Sequence, residues 1–225
     1  SEFFAYLIRY YLRQNDLNFL HFNFYALMGG GGTMDKVLEK EILKKLHFCM
    51  VIADSDKKFP TDSIGDTAKK VQAQMKVKPF NCGSYVMTHV REIENLIPKK
   101  VVHKCGQSKD MSIFYKDPSF FDMKIGLCLS ELFDDRVYDY WKQLLNDENL
   151  FDERNRLKNQ YSDKESYNKA SNGIKPIVKG YGSGLLSLSL NKSEQIKKQL
   201  SSKNDLYSIN SDDLNGFQKQ EWTTI

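Results

Sequence analysis

No Cys-x-x-Cys pair occurs among the four cysteines, Cys49, Cys82, Cys105 and Cys128, which argues against a zinc knuckle. They are also too sparse for the disulfide framework of a small secreted domain. Cys49 and Cys128 sit in apolar surroundings and read as buried thiols of a reducing compartment. No stretch reaches the roughly 18 uncharged apolar residues of a membrane span. The opening residues carry Glu2, Arg9 and Arg13 and lack the basic head, apolar run and small-residue cleavage site of a signal peptide. A cytoplasmic protein with no membrane partner is expected. The ATPase signature GxxxxGK[ST] is missing, as are GxSxG and any Cys–His pairing suited to nucleophilic catalysis. The chain has no internal repeat and no initial Met, and is expected to begin inside a longer one.

What is present suffices for one sizeable core, or one core plus an appendage: 225 residues, 40% apolar and 28% charged. Twelve tyrosines, fourteen phenylalanines and two tryptophans argue against general disorder. The net charge of +4 permits nucleic-acid binding without pointing to it.

Apolar residues on several helical faces over 3–13 predict a buried helix. The aromatic alternation of FLHFNFYAL (19–27) predicts a strand, followed by the glycine turn Gly29 to Gly32 and a helix from about Thr33 to Leu46 with Thr33 as N-cap. Residues 48–53 predict a strand buried on both faces, residues 63–75 a helix, and YVMTHV (85–90) a further strand. Alternating helices and strands predict a parallel α/β sheet over residues 1–100. Residues 101–225 read as a mostly helical extension. Its helix at 131–146 turns Leu132, Val137, Trp141 and Leu144 inward, and its polar stretch at 147–172 is a solvated helix, an insertion or a loop.

Two acidic pairs follow apolar strands. In FCMVIADSDKKFP, Asp54 and Asp56 stand one residue apart at the carboxyl end of a presumed parallel strand, where open α/β sheets gather ligands. Hard carboxylate oxygens there suit Mg²⁺ or Mn²⁺. Asp and Ser are equally ordinary turn residues, so a plain capped turn accounts for the same letters. In REIENLIP (91–98), Glu92 and Glu94 are again two apart; in an extended segment both aim one way, whereas in a helix Glu94 merely favours the first turn. Recurrence favours a shared metal site, because adjacent strands lie only about 4.8 Å apart.

Weaker signals are Lys57 and Lys58, which either neutralise a phosphate or dress a loop, and the Gly29–Gly32 turn, which either contacts phosphate or supplies positive φ. KGYGSG (179–184) reads as a plain turn before a phosphate loop. His89 reads as a structural strand histidine, and His21, His47 and His103 have no partner at ligand spacing. The aromatics and lysines of SIFYKDPSFFDMK (112–124) suit base stacking or a core and its rim.

The order of these stretches, Met28–Thr33, Val51–Lys58 and Arg91–Pro98, resembles the Toprim fold, and most nearly the Toprim domains of OLD-type (overcoming lysogenization defect) nucleases and related phage-defence proteins. The resemblance covers roughly residues 1–100. It implies a Toprim-like parallel sheet flanked by helices and a divalent-metal-dependent endonuclease acting on DNA. Ser1 and Glu2 are similar to the last two places of that family's Glu-Gly-x-Ser/Thr-Asp/Glu motif, which sets the leading glutamate just upstream of Ser1. Asp54 and Asp56 are then implied metal ligands, Glu2 a nearby carboxylate and Glu94 a second-metal ligand, with Glu92 beside it. Asp54, Asp56, Glu94 and Lys57 are the catalytic candidates. Such nucleases work beside an ATPase, and with no ATPase motif in this chain a separate ATPase subunit is implied. The alternatives are a catalytically degenerate Toprim-like subunit that binds an ATPase partner or nucleic acid, and a phosphatase or phosphotransferase using the Asp pair on Mg²⁺.

Overall fold

The strand β1 (Cys49–Ala53) lies parallel to β2 (Gly83–Met87), in register from Cys49 opposite Gly83 to Ala53 opposite Met87. This is a computed structural model, and it describes residues 4, 8, 12, 16–17, 19, 33–38, 49–77, 83–97, 102–103, 116–146, 148–170 and 176–189. A four-residue helix α1 (Met34–Val37) precedes β1, with Thr33 at its N-cap position. Between the strands runs α2 (Asp66–Val77). Strand, helix and parallel strand form the unit that the alternating sequence predicts.

The period of two along β1 sends Val51 and Ala53 to one face, where Val51 packs with Leu38 and Val71. Met50 on the opposite face is 38% exposed, so β1 is not buried on both faces as its apolar run predicts. α2 begins three residues later than expected because Asp62 is engaged in the preceding loop. Its carboxylate accepts from the Lys58 N–H at 3.1 Å, and its own N–H donates to the Phe59 carbonyl. β2 ends at Met87, before Thr88 and His89, which the sequence assigns to the strand. A 3-10 turn over Ile93–Leu96 follows.

β3 (Gly126–Cys128) pairs antiparallel with β4 (Pro176–Lys179), with an irregularity between Leu127 and Cys128. Between them come a 3-10 helix over Leu129–Phe133, then α3 (Asp135–Leu145), α4 (Glu148–Gln160) and α5 (Lys164–Ala170). The predicted 131–146 helix therefore starts at Asp135, where Asp134 caps it by accepting from the Arg136 N–H. Leu132, Val137 and Trp141 are buried, and Leu144 is half-buried.

Within the polar 147–172 segment, Glu148–Gln160 and Lys164–Ala170 are helical, and the first of these helices is docked. Arg154, 7% exposed, donates to the Leu132 carbonyl at 3.0 Å and lies 3.9 Å over the Tyr138 ring. Asp135 bridges Arg154 and Lys158. The main core joins Phe59, Val90, Leu96 and Ile97 to Phe120, Phe121, Met123, Leu127, Trp141 and Leu185, and so draws on residues either side of position 100.

Phe4, Ile8 and Leu12, the described members of the expected 3–13 helix, are helical. Phe19 lies in a turn; the rest of the expected 19–27 strand, the Gly29–Gly32 turn, and His21 and His47 lie outside the described residues. Together the described elements make a mixed helix-and-strand fold with a small parallel sheet, compatible with the α/β class. No described helix is long and apolar enough to cross a membrane.

Candidate functional site

Past Ala53 and Met87 the two strand tips are joined by hydroxyls. The Thr88 N–H donates to the Ala53 carbonyl at 3.0 Å, prolonging the pairing by one step. Ser55 is fully buried; its N–H donates to Thr88 Oγ1 at 3.2 Å, and its Oγ donates to the Val90 carbonyl at 2.6 Å. The middle letter of Asp-Ser-Asp is thus a buried stitch, and the aspartates on either side project from it. The Asp56 N–H donates to the Arg91 carbonyl at 2.9 Å. Asp56 is exposed and left-handed, with φ of 56°. Gly65 makes that conformation possible: its N–H donates to the Ser55 carbonyl at 2.8 Å, and a Cβ there would lie 2.6 Å from the Asp56 Cβ.

The stitched tips bring Asp54 to the turn carrying Glu92 and Glu94. Burial, and then the nearby Glu94 charge, pushes the Asp54 carboxyl up to about 6, against the pull of Lys124 and of the Ile93 N–H dipole. Glu94 is only 5% exposed. Lys124 Nζ stands 3.3 Å from Glu92 Oε1 and 3.3 Å from Glu94 Oε1, while the Oε2 atoms of both glutamates are buried without a hydrogen-bond partner. Burial, then Asp122, pushes Glu92 up to about 7 despite Lys124. Burial works against the Lys124 ammonium, but Glu92 and Glu94 outweigh it and raise its pKa.

A second ring of charge holds this group in place. The Arg91 guanidinium lies 3.1 Å from Asp122 and 2.9 Å from Glu131, and Lys58 lies 3.6 Å from Glu131. Asp122 also accepts from the N–H groups of Lys124 at 3.0 Å and Ile125 at 2.7 Å, shaping the turn that presents Lys124. The backbone N–H groups of Gly180, Tyr181 and Gly182 donate to the carbonyls of Ile125, Met123 and Lys124 at 2.9, 2.7 and 2.9 Å. Gly126 has φ of 105°, and a side chain on it would run into the Val178 carbonyl. KGYGSG is therefore a backbone clamp on the Lys124 turn. Asn95 ties the Glu94 turn to the same region, donating to the carbonyls of Pro118 at 2.5 Å and Phe121 at 2.9 Å.

Of the residues singled out by sequence, Asp54 lies near Glu94, and Lys124 joins Glu94 to Glu92, with Asp56 beside Asp54 on the solvent side. Glu2 lies outside the described residues. Lys57 turns away, its Nζ donating to the Pro60 carbonyl at 3.4 Å, and Lys58 reaches Glu131 instead. His89 is exposed in a bend after β2. Cys128 is buried as expected, its thiol pushed up to about 11 by burial and then by Glu131 and Asp122. The sequence reading missed Lys124, Arg91, Asp122 and Glu131; the only trace of the first was its place among the aromatics of 112–124. No protein-family model, curated protein or solved structure matches the chain.

Among the described residues, no group of three or more His, Cys, Asp or Glu side chains is set to grip a metal ion as the side chains stand. The donor chemistry nevertheless fits Mg²⁺ or Mn²⁺: every acidic group is a hard oxygen donor, and two buried carboxylate oxygens lack partners. An ammonium, not a third carboxylate, occupies the gap between the glutamates.

Proposed function

We propose that the chain is a Toprim-like, Mg²⁺- or Mn²⁺-dependent nuclease. The observation that carries this reading is the like-charge interaction of Asp54, from the tip of β1, with the buried Glu94, beyond the tip of the adjacent parallel strand β2. Like charges held this close, with two carboxylate oxygens unsatisfied, are costly to the fold, and such an arrangement is typical of a site built to receive a cation. Asp54 and Glu94 would hold the ion, with Asp56 on the open side and Glu92 behind. A divalent ion in such a site polarises a phosphoryl oxygen and lowers the pKa of a bound water, the chemistry of phosphodiester hydrolysis. The stitch of Ser55 and Thr88 orients Asp54, and the Asn95 bonds orient Glu94. The Toprim resemblance supplies the wider reading: a DNA-cutting effector of phage defence, cytoplasmic, working with a separate ATPase subunit.

A second reading, a degenerate Toprim-like subunit that binds an ATPase partner or nucleic acid without cutting, is favoured by one observation. Lys124 already neutralises the two glutamates.

Supercoiled plasmid incubated with the full chain in Mn²⁺ tests between them. Nicking or linearisation that EDTA stops and Asp54→Ala abolishes is expected. Cleavage that Asp54→Ala and Asp56→Ala leave unchanged overturns the assignment, and no cleavage by a protein that binds Mn²⁺ favours the second reading.

A further inference from the structure

Lys124 is the one residue of the cluster that the metal-dependent reading leaves without a part. Its ammonium sits symmetrically, 3.3 Å from one oxygen of each glutamate, in a turn that has little freedom to drift. Asp122 shapes that turn from within, and three N–H groups of the 180–182 segment grip its carbonyls from outside. At the clamp the two backbones approach so closely that a Cβ on Gly180 would stand 2.6 Å from the Gly126 nitrogen. The lysine is delivered to the carboxylates by structure remote from them in sequence.

We infer that Lys124 is a built-in competitor for the cation, an ammonium that holds Glu92 and Glu94 together without metal and must withdraw before a divalent ion engages Glu94. The inference rests on the metal-dependent reading of the same site. Its physical basis is simple. Two cations a few ångströms apart beside a buried carboxylate repel, and one carboxylate cannot face both equally. Linkage makes the effect reciprocal: whatever holds Lys124 in place weakens metal binding, and metal binding loosens Lys124. The 180–182 clamp thereby becomes a control point, because a ligand or partner that pulls the Lys124 turn away from the glutamates raises metal affinity at a distance.

The test is Mn²⁺ binding to the full chain, measured by calorimetry and by the loss of the free-ion electron paramagnetic resonance signal, with no nucleic acid present. Lys124→Met is expected to bind Mn²⁺ about tenfold more tightly than the wild type, or better, since the nearest competing charge is gone. Lys124→Arg keeps the charge and is expected to stay within about threefold of wild type. Lys124→Gln, which retains donors for both glutamates, carries the same test as Lys124→Met should that variant fail to fold without metal. Wild-type binding with equal or weaker binding by Lys124→Met and Lys124→Gln overturns the competitor role and leaves the metal site standing. Absence of Mn²⁺ binding in the wild type and in all three variants removes the metal site, and the competitor with it.

Discussion

The Ser55 hydroxyl donates to the Val90 carbonyl at 2.6 Å, so the residue between the two aspartates is bonded into the segment that leads to Glu94. Beyond the strand tips no ladder exists to keep two acidic segments side by side. Here the hydroxyls do so, Ser55 donating to the Val90 carbonyl and Thr88 to the Ala53 carbonyl. The arrangement stores like-charge repulsion where the sheet opens, and that repulsion has a measurable pH signature.

Asp54 moves from the ordinary 3.8 up to about 6, and Glu92 from 4.5 up to about 7, burial being the first cause of both. A carboxyl whose folded pKa lies above its unfolded value binds more protons when folded. Its favourable contribution is therefore full below the unfolded pKa and is lost as pH rises through the folded one. Stability is expected to fall between about pH 4 and pH 7 without metal. Asp54→Asn keeps the size of the side chain and removes the charge, so it is expected to stabilise the protein by about 2 kcal/mol at pH 8 and by almost nothing at pH 4. Urea denaturation in EDTA at the two pH values checks it; an equal effect at both would show that Asp54 ionises normally.

How far this site could be read beforehand varied with the range of the interactions. The apolar run of β1 and the YVM of β2 are local patterns, and each lies in the strand that pattern reasoning sets it in, whereas Glu92 and Glu94 follow β2 only after four further residues, Thr88 to Arg91. Val137 and Trp141 were legible by helical period, and both are buried. Lys124 was not, because nothing near it in sequence marks it: its position depends on Gly126 and Gly180 meeting across the β3–β4 pair. β3, three residues long, is too short to show a period of two. The docking of the polar α4 escaped notice for a related reason. Charge patterning reads Arg154 as solvated, and only the Tyr138 ring and the Leu132 carbonyl make it a buried anchor.

Gly65 is expected to matter out of proportion to its plain loop setting. A methyl there would collide with the Asp56 side chain along its length, at its Cβ and Cγ as well as at the carboxylate, so rotation of the carboxylate alone cannot relieve it. Gly65→Ala should cost about 1–3 kcal/mol. Under the nuclease reading it should also reduce plasmid nicking by at least about tenfold, since Asp56 is displaced. The control is Gly184→Ala, where a Cβ meets open space. Thermal melts and nicking assays on both variants decide; equal behaviour of the two would mean that Asp56 is free to move aside at little cost.

Arg91 supports the whole cluster. Its guanidinium, 12% exposed, lies between Asp122 and Glu131, themselves 10% and 11% exposed, and its carbonyl accepts from Asp56. Removing one partner of a buried ion group leaves uncompensated charge, which costs more than the pair contributes when intact. Arg91→Met is expected to destabilise by about 3–5 kcal/mol, somewhat less if Lys58 closes on Glu131 from its present 3.6 Å. Adding Asp122→Asn to Arg91→Met should then recover part of the loss, because the stranded charge is gone while the amide oxygen can still accept from Lys124 and Ile125. Full additivity of the two substitutions in urea denaturation would mean that Arg91 and Asp122 act independently, and the charge ring could no longer be what fixes the Lys124 turn.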